Sequence, residues 1–203
     1  MIVRDKPGLV QLLTAARGSV LPHIVIPLGV LVAFSAALTL IDQTLIKLPE
    51  SAATPFSVLG VALSLFLGFR NNAAYDRWWE ARKLWGGLIA DLRSLARELD
   101  LFLPDTETRH HILRLSLTFL HLHRLNLRRL PLDAAALALP DAATLGTAPH
   151  PPCAALDAMN AALTQAHRDG LIDGFGARTL STRMGSIALN QAGCERIATT
   201  PLP

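Results

Sequence analysis

Four histidines crowd one short stretch, His110, His111, His121 and His123, and imidazole clusters are a natural place to look for a metal. Their spacing argues against one. On a helix His121 and His123 point to nearly opposite sides, and His110 and His121 lie about three turns apart. No carboxylate follows any of the four at three or four residues, so no metal site is expected. A second group of reactive types, Arg70, Asp76, Arg77 and Glu80, could form a polar site, but ion pairing between helices is the simpler use of them. The sequence has no phosphate-cradling glycine loop, no His-Glu-x-x-His and no Gly-x-Ser-x-Gly elbow. Neither an enzyme nor a cofactor is expected. Val61, Leu65 and Phe69 recur every four residues in an uncharged run. Repeated around a symmetry axis, such side chains form a constriction that gates by expelling water.

The element that must position them is the stretch Ser57 to Leu95. Up to Phe69 it carries no charge; beyond, it is crowded with Arg70, Asp76, Arg77, Glu80, Arg82, Lys83, Asp91 and Arg93. No proline occurs between Pro55 and Pro104, so one helix can run from the first half into the second. Such a helix reaches roughly 55 Å or more, beyond a hydrocarbon core of about 30 Å, and so starts in lipid and ends in water. Gly60, Ser64 and Gly68 form a strip of small residues about 100° from the bulky stripe, and small residues at this spacing let membrane helices approach closely. From periodicity alone, packing explains both stripes more simply than a pore does.

Gly18 to Ile41 contains no Asp, Glu, Lys or Arg and spans a bilayer, with its regular helix expected from Pro27. Basic residues lie before this span (Arg4, Lys6, Arg17) and after the second (Arg70, Arg77, Arg82, Lys83), while the link between them holds one Lys. Both outer ends therefore belong in the cytoplasm. Residues 1–17 allow a short amphipathic helix on the membrane surface. Tyr75, Trp78, Trp79 and Trp85 are candidates for an interfacial aromatic belt. Asn71 and Asn72 follow the stripe and can either bond between subunits or face permeating ions. The Gly86-Gly87 pair suggests a bend or a close contact. Past Pro104 the Arg density argues against a third span, and a packed cytosolic helix with Asp105 or Thr106 as cap is expected. Residues 131–152 read as an irregular loop, and further helices are expected over 154–167 and 175–191. The division is 1–17 cytosolic, 18–103 a transmembrane hairpin, and 104–203 a cytosolic helical region. The mean hydropathy of +0.35 comes from the residues before Arg70. A formal charge of +3, with acids interleaved among the bases, gives no footprint for nucleic acid. Cys153 and Cys194 are expected to be free thiols in the cytosol.

Two stretches resemble the bestrophin family in its bacterial branch. One runs Phe69-Arg70-Asn71-Asn72-Ala73-Ala74-Tyr75-Asp76-Arg77-Trp78-Trp79-Glu80-Ala81-Arg82, the other Gly193-Cys194-Glu195-Arg196-Ile197-Ala198-Thr199-Thr200-Pro201. The resemblance implies an all-α membrane protein whose long helices run from the bilayer into a cytosolic helical domain, assembled as a homopentamer about a central pore. It implies a passive channel for small monovalent ions, chloride or other anions or Na/K, in the bacterial inner membrane, with lipid and permeant ions as partners. In that family the second transmembrane helix lines a hydrophobic neck, which by position falls on Val61, Leu65 and Phe69 and shifts the reading of the stripe from packing to pore. A second, cytosolic constriction lies near the start of the last helix, and Leu180 is the nearest positional candidate. Structural roles are implied for Arg70, Tyr75, Asp76, Arg77, Trp78, Trp79, Glu80, Cys194, Glu195 and Arg196. Family members continue into two further transmembrane helices where this sequence ends, so a fragment or a truncated homologue is expected. A non-conducting scaffold, or less readily a membrane enzyme, is the alternative.

Overall fold

A computed structural model describes residues 21–44 and 53–201; the expected surface helix over 1–17 and the rest of the inter-span link lie outside them. Among the described residues all regular structure is helical. By its contacts the chain divides into two units, Met1–Gly60 and Val61–Pro203, with the boundary inside a continuous helix.

Helix α1 spans Leu21–Thr44, and its side chains from Ile24 onward are exposed. It begins six residues before Pro27, which corrects the expected start. Pro27 removes one i→i−4 hydrogen bond, a cost that apolar membrane helices tolerate through local adjustment. The hydroxyls of Thr39 and Thr44 donate to the carbonyls of Ser35 (2.9 Å) and Leu40 (2.6 Å), so these polar groups are satisfied within the helix.

Helix α2 spans Ala53–Phe102, 50 residues without a break, or about 75 Å at 1.5 Å per residue. Every side chain from Thr54 to Asn72 is exposed. From Leu88 the helix acquires a buried face, Leu88, Leu92, Leu95, Leu99, with Leu103 just past its end. Its spacing of three and four residues is that of an amphipathic helix.

Helix α3, Thr106–Arg128, starts on Asp105, whose carboxylate accepts from the Thr108 amide at 2.9 Å. That hydrogen bonding holds the Asp105 carboxyl below the usual carboxylate range. The helix ends at Arg129, held in the left-handed region at φ 53°. The loop expected over 131–152 contains two single-turn helices, α4 (Ala134–Leu137) and α5 (Ala142–Leu145). Asp133 caps α4, accepting from the Ala136 amide at 2.9 Å, and also pairs with Arg124.

Helix α6, Pro151–Arg168, has Pro151 at its first position and ends at Asp169, with Gly170 at φ +73°. Helix α7, Gly174–Thr199, runs eight residues beyond the expected Gln191 and is capped by Asp173, which accepts from the Gly176 amide. Ile112, Leu115, Phe119 and Leu122 of α3, Ala155, Met159 and Leu163 of α6, and Leu180, Met184 and Ile187 of α7 close one core over the buried face of α2.

Each fully buried Leu contributes about 1.5–3 kcal/mol. Leu95→Ala, at a position 0% exposed, is expected to lower unfolding free energy by about 2–5 kcal/mol. Leu101→Ala, at 73% exposure on the same helix, is expected to stay within about 0.5 kcal/mol. Denaturation of the solubilised protein followed by circular dichroism distinguishes the two.

Candidate functional site

Val61, Leu65 and Phe69 project from α2 at 71%, 60% and 64% exposure. Beside them Gly60 and Gly68 have open space where a Cβ would stand, and Ser64 is exposed between them. Asn71 and Asn72, one turn on, are also exposed. Among the described residues none covers any face of this apolar segment. A water-soluble monomer does not leave so long an apolar surface bare, so lipid or further copies of the chain must cover it. Two helices, Ile24–Thr44 and Thr54–Phe102, are long and apolar enough to cross a membrane.

Below the apolar segment, α2 and α7 bring together two stretches more than a hundred residues apart in sequence. The Arg77 guanidinium donates to the carbonyls of Ile197 and Thr200 in the last turn of α7. A cation there satisfies carbonyls that lack intrahelical partners and complements the negative end of the helix dipole. Arg196 pairs with Glu80 one turn along α2. Gly193 lies against Leu84, where an added Cβ would stand 2.8 Å from a side-chain carbon, and Gly87 lies against Asn190 at 3.0 Å. Gly87 is therefore the close contact that the glycine pair suggests, while Gly86 faces open space. Cys194 is buried beneath this junction, and burial pushes its thiol pKa up. Both cysteines are free.

Farther along the same helix pair lies a polar network that sequence reading missed. Arg183 donates to Asp91 (2.7 Å) and to Glu98 (2.7 Å), while Ser186 and Asn190 donate to the other Asp91 oxygen at 2.6 and 2.8 Å. The Glu98 and Asp91 contacts raise the Arg183 pKa further, so it is charged at all accessible pH. Asp91 and Arg183 lie 92 residues apart, and no local spacing links them.

Tyr75, Trp78 and Trp79 are exposed and meet in series as tilted ring pairs, with centroids 5.7 and 5.9 Å apart, and the Arg82 guanidinium lies 5.8 Å from the Trp78 ring centre. Arg70 and Asp76 are exposed on the same stretch. Trp85 is not part of this belt: it packs against the core and stacks on His123. Leu180 is 1% exposed and lies within the core formed with α3 and α6. The exposed bulky residue at the start of α7 is Phe175, 71% exposed and tilted against Phe102 at 6.0 Å. The buried series Gly176, Leu180, Met184, Ile187, Gln191 and Cys194 runs at three- and four-residue steps and already leaves Phe175 outside it.

A bare apolar rod anchored in a helical domain is the build of an α-helical membrane protein. Residues 1–203 match the family described as bacterial/fungal bestrophin protein. The chain belongs to that family. It is 41% identical to the voltage-dependent anion channel-forming protein mll4386 of Mesorhizobium japonicum, over all of this chain and 67% of that protein. It is 37% identical to the voltage-dependent anion channel-forming protein YneE of Escherichia coli K12, over 100% of this chain and 68% of that one. The chain thus spans about two thirds of the length of these relatives. A solved bacterial bestrophin homolog from Klebsiella pneumoniae, carrying a point substitution, superposes with a TM-score of 0.75 at 29% identity, over 89% of this chain and 69% of that chain. Another membrane protein structure superposes at 0.80, also at 29% identity and with the same coverage. The protein is thus an all-α membrane protein with the bestrophin fold.

Arg183→Met is expected to destabilise the helical region by about 3–5 kcal/mol, because it leaves Asp91 and Glu98 facing each other without a cation at 11% and 17% side-chain exposure. Neutralising the exposed Glu80–Arg196 pair is expected to cost about 1 kcal/mol or less. Melting temperatures of the two variants test the ranking.

Proposed function

We propose that this chain is a subunit of a bestrophin-like ion channel in the bacterial inner membrane, assembled as a homopentamer, with α2 lining the pore. The single observation that carries the reading is the continuity of α2, bare and apolar through Phe69 and locked into a packed domain from Leu88. Val61, Leu65 and Phe69 form the neck. Ions pass by losing part of their hydration in an apolar tube, and the barrier is the cost of that loss. Gly60, Ser64 and Gly68 lie against the neighbouring subunit, where small residues permit close approach. Asn71 and Asn72 stand where the tube opens to water. The anion channel-forming names of the relatives favour chloride or another small anion.

The positive-inside distribution supports a multi-pass topology with the N-terminus and residues 70–203 in the cytoplasm. The same reading keeps 1–17 as a cytosolic segment, 18–103 as the membrane hairpin with its extension, and 104–203 as the cytosolic region. The second constriction moves from Leu180 to Phe175, the exposed bulky residue at the start of α7. The junction of Arg77, Glu80, Arg196 and the buried Cys194 fixes the cytosolic helices to the base of the neck.

Sizing of the full-length protein in detergent is expected to give a pentamer. In liposomes, Leu65→Ala and Phe69→Ala are expected to change ion flux at unchanged assembly, as is Phe175→Ala to a smaller degree, while Leu101→Ala leaves flux unchanged. A monomer in detergent, or a pentamer that carries no flux, overturns the channel reading in favour of a scaffold or an enzyme.

A further inference from the structure

Glu195 is the centre of a polar cluster that the junction does not use. Its Oε1 accepts from the Gln191 side-chain amide at 2.9 Å and lies 3.5 Å from His150 Nε2 and 3.8 Å from His123 Nδ1. The Gln191 amide also donates to Cys153 Sγ at 3.3 Å. His123 is 0% exposed, and neither of its ring nitrogens has a hydrogen-bond partner. Its imidazole stacks on two aromatic rings, Trp85 of α2 at 5.8 Å and Phe119 of α3 at 5.6 Å, with interplanar angles of only 10° and 8°. A buried polar group left unpaired is costly, so its persistence here calls for an explanation. The cluster does not amount to a metal site: among the described residues no three His, Cys, Asp or Glu side chains are grouped to hold an ion.

One proton changes this arrangement. A neutral His123 gains little from a carboxylate 3.8 Å away, whereas an imidazolium gains an ion pair and can stack its charge on Trp85 and Phe119. The charged groups that act on His123 are Glu195 from α7 and His150 from the turn before α6; α2 contributes the Trp85 indole. The thiols of Cys153 and Cys194 are the other titratable groups beside Glu195. Glu195 adjoins Arg196, the partner of Glu80 on α2.

We propose that His123, Glu195 and His150 form a proton-operated latch: acidification charges His123, draws Glu195 away from Gln191 and His150, and shifts the adjoining Arg196–Glu80 tie between α7 and the pore helix. The coupling to flux rests on the channel reading above; the protonation step does not.

Burial lowers the proton affinity of His123, Glu195 raises it, and His150 lowers it. An unfolded histidine takes up its proton near pH 6.5, and the buried one does so only at lower pH. The unfolded state therefore binds more protons in that window, and stability falls as pH drops below about 6.5 until His123 itself is charged.

The test uses the full-length protein in lipid nanodiscs and liposomes. Imidazolium quenches indole fluorescence, so tryptophan emission is expected to fall in one step as pH is lowered, with a midpoint below the ordinary imidazole value. The step is expected to vanish in His123→Leu and in Trp85→Phe. His150→Gln is expected to move the midpoint to higher pH and Glu195→Gln to lower pH, opposite shifts that loss of packing does not produce. Liposome flux is expected to change across the same pH step in the wild type and to lose that dependence in His123→Leu. Where His123→Leu does not assemble, the two midpoint shifts decide the protonation step. An unchanged fluorescence step in His123→Leu, or midpoints that do not move in opposite directions, overturns the latch. A normal fluorescence step with flux indifferent to pH overturns its coupling to the pore, and absence of flux at every pH counts against the channel reading instead.

Discussion

Everything in this structure depends on α2 satisfying two solvents with one unbroken backbone. Hydrocarbon offers no partner for a peptide group, so a segment inside it must close all its hydrogen bonds internally. Thr54 to Phe69 does this as regular helix, with its apolar side chains outward. The same helix then turns its apolar side chains inward, and Leu88, Leu92, Leu95 and Leu99 are buried with polar residues between them. No proline interrupts the change, and the Gly86-Gly87 pair, at about 1 kcal/mol per glycine relative to alanine, is affordable within a 50-residue helix. Gly87 returns part of that cost by letting Asn190 approach.

The helix pair α2–α7 shows which forces set register and which only decorate it. Glu80 and Arg196 are the most visible opposite charges at the junction, yet at 45% and 65% side-chain exposure their attraction is largely screened. The Arg77 bonds to Ile197 and Thr200 are different in kind, because charge-assisted bonds to helix-end carbonyls are worth about 1.5–3 kcal/mol and fix an angle as well as a distance. Gly193 and Gly87 fix the separation, since a larger residue at either would meet Leu84 or Asn190. Asp91, Arg183 and Glu98 lie on more buried ground, where geometry has to be good for the pair to form at all. Position along the helix pair is thus set by sterics and directed hydrogen bonds, and the surface ion pair follows.

Much of this was legible in local sequence, and what escaped was non-local. The absence of charge before Phe69, the proline-free interval and the caps at Asp105 and Asp169-Gly170 are properties of neighbouring residues, and each corresponds to a feature of the helices. Helix α1 starts before Pro27 because an apolar membrane helix continues through a proline that seldom lies inside a helix in water. The short helices α4 and α5 each rest on a few residues and too short a period to read. Trp85 is the same residue type as Trp78 and Trp79, and only the packing of α3 against α2 half-buries it against the core. The three- and four-residue steps through Met184 and Ile187 put Leu180 on the buried side of α7, a pattern that its position near the helix start does not reveal. The Arg183 network had no local sign.

The location of the junction gives the packed helices leverage on the bare segment. Arg77 follows Phe69 by eight residues, a rise of about 12 Å on a helix. Over that interval α2 has no flexible joint: its hydrogen bonding is regular, and the first glycine after Phe69 is Gly86. A displacement of the last turn of α7 therefore reaches Phe69 as a movement of a stiff rod rather than being absorbed by a loop. The Arg77 bonds to Ile197 and Thr200 carry that movement, while the exposed Arg196–Glu80 pair, the tie closest to Glu195, readjusts at little cost. A weak tie beside strong ones can shift without unfolding the helix that it adjoins.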